Sequence, residues 1–233
     1  MNFNKTLISG EFIKRYKRFF VDVKIGKEEV VAHCPNTGSM MGLIKKGNNV
    51  WLSKSDNPKR KLKYTLQIIE DQKTKVGINT HLTNKIVFDA LSKRKIKNFK
   101  NLDKIQQEVK FGKNTRFDFL ISNNNKKSFI EVKNVTLSRK KGVAEFPDAV
   151  TSRGVKHIDE LLKASKKNYN IYLIFVIQRD DCNQFKIAKD LDPKYYQTLI
   201  KAVKKKLNIL CYDCKFSTKG IKLNRKIEVN LNE

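Results

Sequence analysis

The chain has 233 residues, of which 39% are hydrophobic and 31% charged, and its 50 Lys and Arg against 23 Asp and Glu give a formal net charge of +27. That length holds one large domain or two small ones with a real core, and its longest apolar run, Ile171 to Ile177, is too short to span a bilayer. The cation excess points to a polyanionic partner, nucleic acid before an anionic membrane, although A/T-rich codon usage would also enrich Lys without any DNA contact.

Met1 to Gly10 contains no long apolar run, so no signal peptide is expected and the protein is expected to be soluble and cytoplasmic. Residues 1–78 read as β-rich, with strands near 7–13, 18–25, 29–33, 49–53 and 63–69 separated by Gly26, by Pro35 to Gly38 and by Asn57-Pro58. Five short strands in that length suit a small barrel of the OB type. Phe12, Arg15, Tyr16, Arg18, Phe19 and Phe20 interleave base and aromatic, a mix that suits stacked nucleobases and phosphates or a core with solvated arginines. Lys59 and Arg60 add a basic cluster. His33 and Cys34 are adjacent and diverge in a strand, which disfavours a Cys–His nucleophile.

Residues 79–98 read as a helix that opens a second domain, 79–233, with Leu82, Ile86, Ala90 and Leu91 as its apolar stripe and Thr83 as N-cap. Glu108 falls in an expected strand, as a further metal ligand or a solvated residue. The stretch 116–133, RFDFLISNNNKKSFIEVK, reads as a β-hairpin turning at Asn123 to Asn125. Alternation puts Phe117, Phe119 and Ile121 on one face of the first strand and Arg116, Asp118 and Leu120 on the other. In the second strand Phe129, Glu131 and Lys133 share a face. Paired on their charged faces, the strands bring Asp118 and Glu131 together, with Lys133 roughly 7 Å along from Glu131. Two carboxylates are hard ligands for Mg²⁺ or Mn²⁺, with the Val132 carbonyl as a third, and a lysine beside them orients a water or stabilises developing charge. That kit belongs to metal-dependent phosphodiester hydrolysis. An acidic residue two before a lysine recurs across this chain; what singles out Glu131 is the Asp-bearing strand just before it. Arg116 is placed to clamp a phosphate or to pair with a carboxylate.

Arg139, Lys140, Lys141 and Gly142 read as a basic flexible loop beside the site, and Pro147-Asp148 as the start of a helix running to about Lys167. Arg153 and His157, four apart, face the same way, as phosphate contacts and a leaving-group acid or as structural neighbours of carboxylates. Ile171 to Ile177 suits a central strand. Asp192-Pro193 caps a helix buried through Tyr196, Leu199, Val203 and Leu207, and strands near 208–213 and 226–231 follow. Cys211-x-x-Cys214 resembles half a zinc site, but no second pair follows and residues three apart in a strand point to opposite faces. The order is that of an α/β sandwich.

HCPNTG (33–38), NPKRK (57–61), EVKFG (108–112), RFDFL (116–120), EVKNVTL (131–137) and FPDAVTSRGVKHIDEL (146–161) resemble, in order and across nearly the whole chain, the sugar fermentation stimulation protein family. The resemblance implies an OB-like N-terminal barrel (1–78) and a C-terminal domain of PD-(D/E)xK nuclease-like fold. It further implies non-specific DNA binding, a regulatory link to sugar (maltose) metabolism, and active-site positions at Asp118, Glu131 and Lys133. The expected cofactor is Mg²⁺ or Mn²⁺, with Asp118, Glu131 and Glu108 as ligands. The expected partner is DNA, contacted by Arg15, Arg18, Lys59, Arg60, Arg116, Arg139, Lys140, Arg153 and His157; a membrane is not expected, and a homodimer stays open. A non-cleaving regulator and an RNA-binding scaffold are the competing functions.

Overall fold

Strands β1 (Ile8–Tyr16), β2 (Phe20–Ile25), β3 (Glu28–His33), β4 (Asn49–Lys54) and β5 (Tyr64–Asp71) run in the order β3-β2-β1-β4-β5 and close through a parallel β3–β5 pairing. The computed structural model describes residues 1–113, 115–217 and 219–231. Alternation does the closing: Phe12, Val21, Val23, Ala32, Val50, Leu52 and Leu66 point inward and fill the barrel. All five strands lie where the sequence puts them. A sixth, β6 (Thr74–Gly77), extends β5 and was not expected, because its turn uses Gln72 and Lys73 at positive φ (48° and 73°) in place of Gly or Asn.

The rest is an α/β sandwich around a six-stranded sheet. Its strands are β7 (Lys104–Phe111), β8 (Thr115–Asn123), β9 (Lys126–Val135), β12 (Asn170–Ile177), β14 (Asn208–Ser217) and β15 (Gly220–Lys226), in the order β15-β14-β12-β9-β8-β7. The parallel centre, β9-β12-β14, is the most apolar part. Leu173, Phe175 and Ile177 of β12 pack on one side with helices α2 (Ser152–Ser165) and α3 (Pro193–Lys204); Ile174 and Val176 pack on the other with α1 (Thr83–Ser92). Cys211 joins the first core and Cys214 the second, so the two thiols face opposite sides of β14. A smaller sheet, β10 (Leu137–Lys140), β11 (Val143–Phe146), β13 (Gln184–Ile187) and β16 (Val229–Asn230), lies beyond. No described helix is long and apolar enough to cross a membrane.

Five details depart from the sequence expectations. Thr83 does not cap α1: Asn79 caps a preceding 3₁₀ turn, Thr80–Leu82, and the Thr83 hydroxyl is spent on Asn134 and Gln178. The helix also stops at Ser92, with Arg94 turning at φ 55°. Pro147-Asp148 does not open α2, because the Asp148 carboxylate is held by Ser39 and Met40 of the barrel and Thr151 becomes the N-cap. Residues 137–140 are a strand, not a flexible loop, and Arg139 is held by Glu145 and Asp190. Finally, Phe117 packs on the α2/α3 side while Phe119 and Ile121 pack on the α1 side, so these three do not share a face.

That face switch has a local cause. On the neighbouring β7, Glu108 sits at φ 53°, and the strand turns over there: Ile105 packs on the α1 side, Val109 and Phe111 on the other. Glu108 lies across from Asp118, between the Gln107–Phe119 and Val109–Phe117 pairs. The β8–β9 ladder ends at the Phe119–Ile130 pair. Beyond it the two strands part, and the carboxylate of Asp118 stands in the gap.

Candidate metal and nucleic-acid site

The gap between β8 and β9 carries the acids. Past the end of the ladder, the backbone N–H of Val132 donates to Asp118 Oδ2 (2.7 Å), so a side chain takes the bond that a β8 carbonyl would otherwise accept. Asn84, in the first turn of α1, donates through Nδ2 to Asp118 Oδ1 (2.7 Å). Both oxygens of Asp118 are thereby oriented. Glu131 and Lys133 follow from β9, on its α2/α3 side, as alternation requires. A pocket of about 210 Å³ is lined by Asp118, Glu131, Val132, Lys133, Asn134, Arg153 and His157, with Thr80, Thr83 and Asn84 at its wall.

Glu131 is 3% exposed and heavily partnered on one side only. Its Oε1 accepts from Lys133 Nζ (2.7 Å) and from Nδ1 of His157. Arg153 Nε donates to the other ring nitrogen, Nε2 (3.4 Å), which assigns the ring proton to Nδ1. Lys133 Nζ also lies 3.2 Å from Nδ1. Oε2 of Glu131, by contrast, is buried and has no hydrogen-bond partner. An unsatisfied anionic oxygen in a protein interior is costly unless something cationic or protic meets it.

The electrostatics point the same way. Burial, then the charge of Glu131, raises Asp118 from 3.8 to about 7 despite its bonds from Val132 and Asn84. Glu131 moves in the opposite direction: burial pushes it up, but Lys133 and His157 outweigh burial and leave it below its ordinary value. Two carboxylates that repel one another in a desolvated pocket, one with a bare oxygen, form a donor set that a divalent cation fits. Among the described residues no cluster of three or more His, Cys, Asp or Glu is placed to hold a metal. Two protein carboxylates with water and phosphate completing the shell is a common arrangement for Mg²⁺.

The other expected residues divide by position. Glu108 and Arg116 are exposed and line, with Asp118, Arg153 and His157, an adjoining depression of about 510 Å³; Glu108 does not join Asp118 and Glu131 in a three-carboxylate cluster. Arg15 is committed to backbone, donating to the carbonyls of Arg18, Asn36, Gly38 and Ser39. Arg18 is exposed at the β1–β2 turn and lines the cleft between barrel and sheet. Lys59 is exposed on a barrel loop, and Arg60 donates to Thr65 Oγ1 (2.7 Å); neither lines the cavities around the acids. Arg139 is charge-neutralised by its two carboxylates, which raise its pKa, and Lys140 is exposed beside it. Sequence reasoning missed Asn84, whose role depends on the first turn of α1 packing against the sheet beside Asp118, and Tyr195, whose buried hydroxyl also has no partner and which feels the charge of Glu131.

Comparison with known proteins gives a consistent result. Residues 81–220 match the family described as the sugar fermentation stimulation protein RE domain, and residues 13–78 its N-terminal OB domain. A sugar fermentation stimulation protein homolog of Pelagibacter ubique is 56% identical over 98% of this chain and 99% of its own length. One from Maricaulis maris is 42% identical over the full length of both. The structure of Pyrococcus furiosus SfsA in complex with Ca²⁺ superposes with a TM-score of 0.89 at 25% identity, covering 99% of this chain and 98% of that one.

Proposed function

This chain belongs to the sugar fermentation stimulation protein family, and we propose that it is a DNA-binding protein whose acidic pocket is a divalent-metal site for phosphodiester hydrolysis on a PD-(D/E)xK nuclease-like scaffold. The observation that carries this is the pair of carboxylates in the β8–β9 gap, with Glu131 Oε2 buried and bare and Asp118 pushed to about 7. The relative from Pyrococcus furiosus, described in complex with Ca²⁺, supports a divalent cation, and the formal charge of +27 supports a polyanionic substrate.

Asp118 and Glu131 would hold Mg²⁺ or Mn²⁺, the Glu through Oε2. When bound, such an ion lowers the pKa of a water and offsets charge on the phosphoryl group. Asn84 and the Val132 N–H fix the Asp118 carboxylate, and His157, itself held by Arg153, fixes that of Glu131. The Lys133 ammonium, held 2.7 Å from Glu131, would orient the attacking water and stabilise charge developing on the phosphoryl group. Arg153, exposed at the mouth, contacts a phosphate oxygen.

The test is incubation with supercoiled, branched and single-stranded DNA in Mg²⁺ or Mn²⁺. Cleavage by the native protein and none by Glu131→Ala is the expected result. Cleavage that persists in the variant overturns the site assignment. Failure to cut any substrate favours the alternative, a non-cutting DNA-binding regulator of sugar metabolism, which the closed Lys133–Glu131–His157 network also accommodates.

A further inference from the structure

A cleft of about 560 Å³, larger than the metal pocket, opens between the barrel and the sheet. Thr80 and Asn134 line both cavities, so the cleft adjoins the pocket that holds the acids. Its rim is built from three segments that the chain takes care to lock together. Arg15 joins the tip of the β1–β2 hairpin to the 36–39 loop through the carbonyls of Arg18, Asn36, Gly38 and Ser39. Asp148 joins that loop to residues 147–151 by accepting from Ser39 Oγ and the Met40 N–H, both at 3.2 Å. At the tip, Lys17 and Arg18 sit at φ 47° and 61°, a left-handed conformation that side chains of this size avoid unless the surroundings impose it.

What the cleft and its flanks display is unusual for a surface meeting only water. Val150, 77% exposed, and the exposed cation Arg18 line the cleft, while Phe19 (46% exposed) and the exposed Lys17 flank Arg18 on the hairpin tip and Met41 (43% exposed) follows the 36–39 loop, its N–H donating to Ser39 Oγ. Cations alone suffice for duplex DNA, whose bases are stacked inside and whose outer surface is phosphate. Apolar and aromatic side chains among cations suit a strand whose bases are unpaired and need a surface to lie on. The cleft volume of about 560 Å³ is in the range of a small-ligand pocket, enough to take an unstacked nucleotide.

We propose that this cleft is a single-strand channel: an unpaired segment of DNA lies over Phe19, Met41 and Val150 with its phosphates on Lys17 and Arg18, and is led past Asn134 and Thr80 to Asp118 and Glu131. The substrate class is therefore DNA with a single-stranded segment, such as an overhang or flap, in preference to blunt duplex. This rests on the hydrolase assignment for the chemistry, but the binding preference stands apart from cleavage and is measured without it.

The experiment is fluorescence anisotropy on the full-length protein in EDTA, with a labelled single strand, the blunt duplex of the same sequence and the duplex with an overhang. Single strand and overhang are expected to bind about tenfold or more tighter than blunt duplex. Phe19→Ala with Val150→Ser is expected to weaken the single strand about 5- to 50-fold, the range of one or two lost base contacts, and leave the duplex nearly unchanged. Both positions are exposed, and Met41→Ser serves as an independent third. Equal or tighter binding of the blunt duplex overturns the proposal, as does a double variant that binds the single strand normally or weakens both forms alike. A protein that binds in this pattern yet never cuts keeps the channel and loses the hydrolase; the converse pattern keeps the hydrolase and loses the channel.

Discussion

Asp118→Asn should make the metal-free protein more stable, and only at neutral to alkaline pH. In the fold this carboxyl is raised from 3.8 to about 7, chiefly by burial and then by Glu131. In the unfolded chain it titrates near its ordinary value. Between the two, the folded state holds a proton that the unfolded state has released, so the carboxyl lowers stability progressively as pH rises, and above pH 7 its full cost is present. Three pKa units correspond to about 4 kcal/mol. Asparagine removes that cost but offers one acceptor oxygen where Asp118 uses two, toward Val132 N–H and Asn84 Nδ2. One charge-assisted bond forfeited deducts about 2 kcal/mol. The net gain is about 2 kcal/mol at alkaline pH, a rise of roughly 4–8 °C in melting temperature for a chain of this size. By about pH 5 little more than one unit of the difference remains, about 1.5 kcal/mol, and the lost bond cancels it. Thermal melts in EDTA at alkaline pH and near pH 5 read this directly. A variant that gains nothing at alkaline pH, or gains equally at both, refutes the reasoning that a desolvated, repelled carboxylate is held here at the expense of stability.

Three further outcomes follow from the geometry. Lys133→Met leaves the buried Glu131 carboxylate with His157 alone; unfolding free energy in EDTA should fall by on the order of 3 kcal/mol, and any cleavage by about 10²–10³-fold. Gly77→Ala places a methyl against Gln178, which is fully buried and hydrogen-bonded to Thr83 and Asn134; a loss of about 1–3 kcal/mol in denaturant unfolding is expected. Tyr195→Phe removes a buried hydroxyl with no hydrogen-bond partner, so stability should be unchanged or higher by up to about 1 kcal/mol, and a clear loss would reveal a bridging water.

The hairpin carrying Asp118, Glu131 and Lys133 was legible because its information is local: alternating side chains on both sides of an asparagine turn, with Asn124 and Asn125 at φ 45° and 65°. The barrel was legible for the same reason. The face switch was not, since it depends on a glutamate, Glu108, adopting a backbone conformation that nothing in its side chain favours. Strands β10, β11 and β13 are four residues each and too short to show a period; β11 and β13 find each other in parallel only through the tertiary fold. Long-range polar ties were equally hidden. Arg139 reads as a free cation until Asp190, 51 residues on, meets it, and Asp148 reads as a helix opener until the barrel loop claims its carboxylate. Arg15, expected at a phosphate, is instead the staple of the rim.

Everything proposed for the acids depends on a divalent cation between Asp118 and Glu131. Titrating Mn²⁺ into the native protein and into Asp118→Asn/Glu131→Gln by isothermal calorimetry near pH 7 tests this most directly. One site is expected in the native protein, with proton release in keeping with a carboxyl at about 7 that must ionise to bind, and no site in the double variant. Equal binding by both proteins would contradict it.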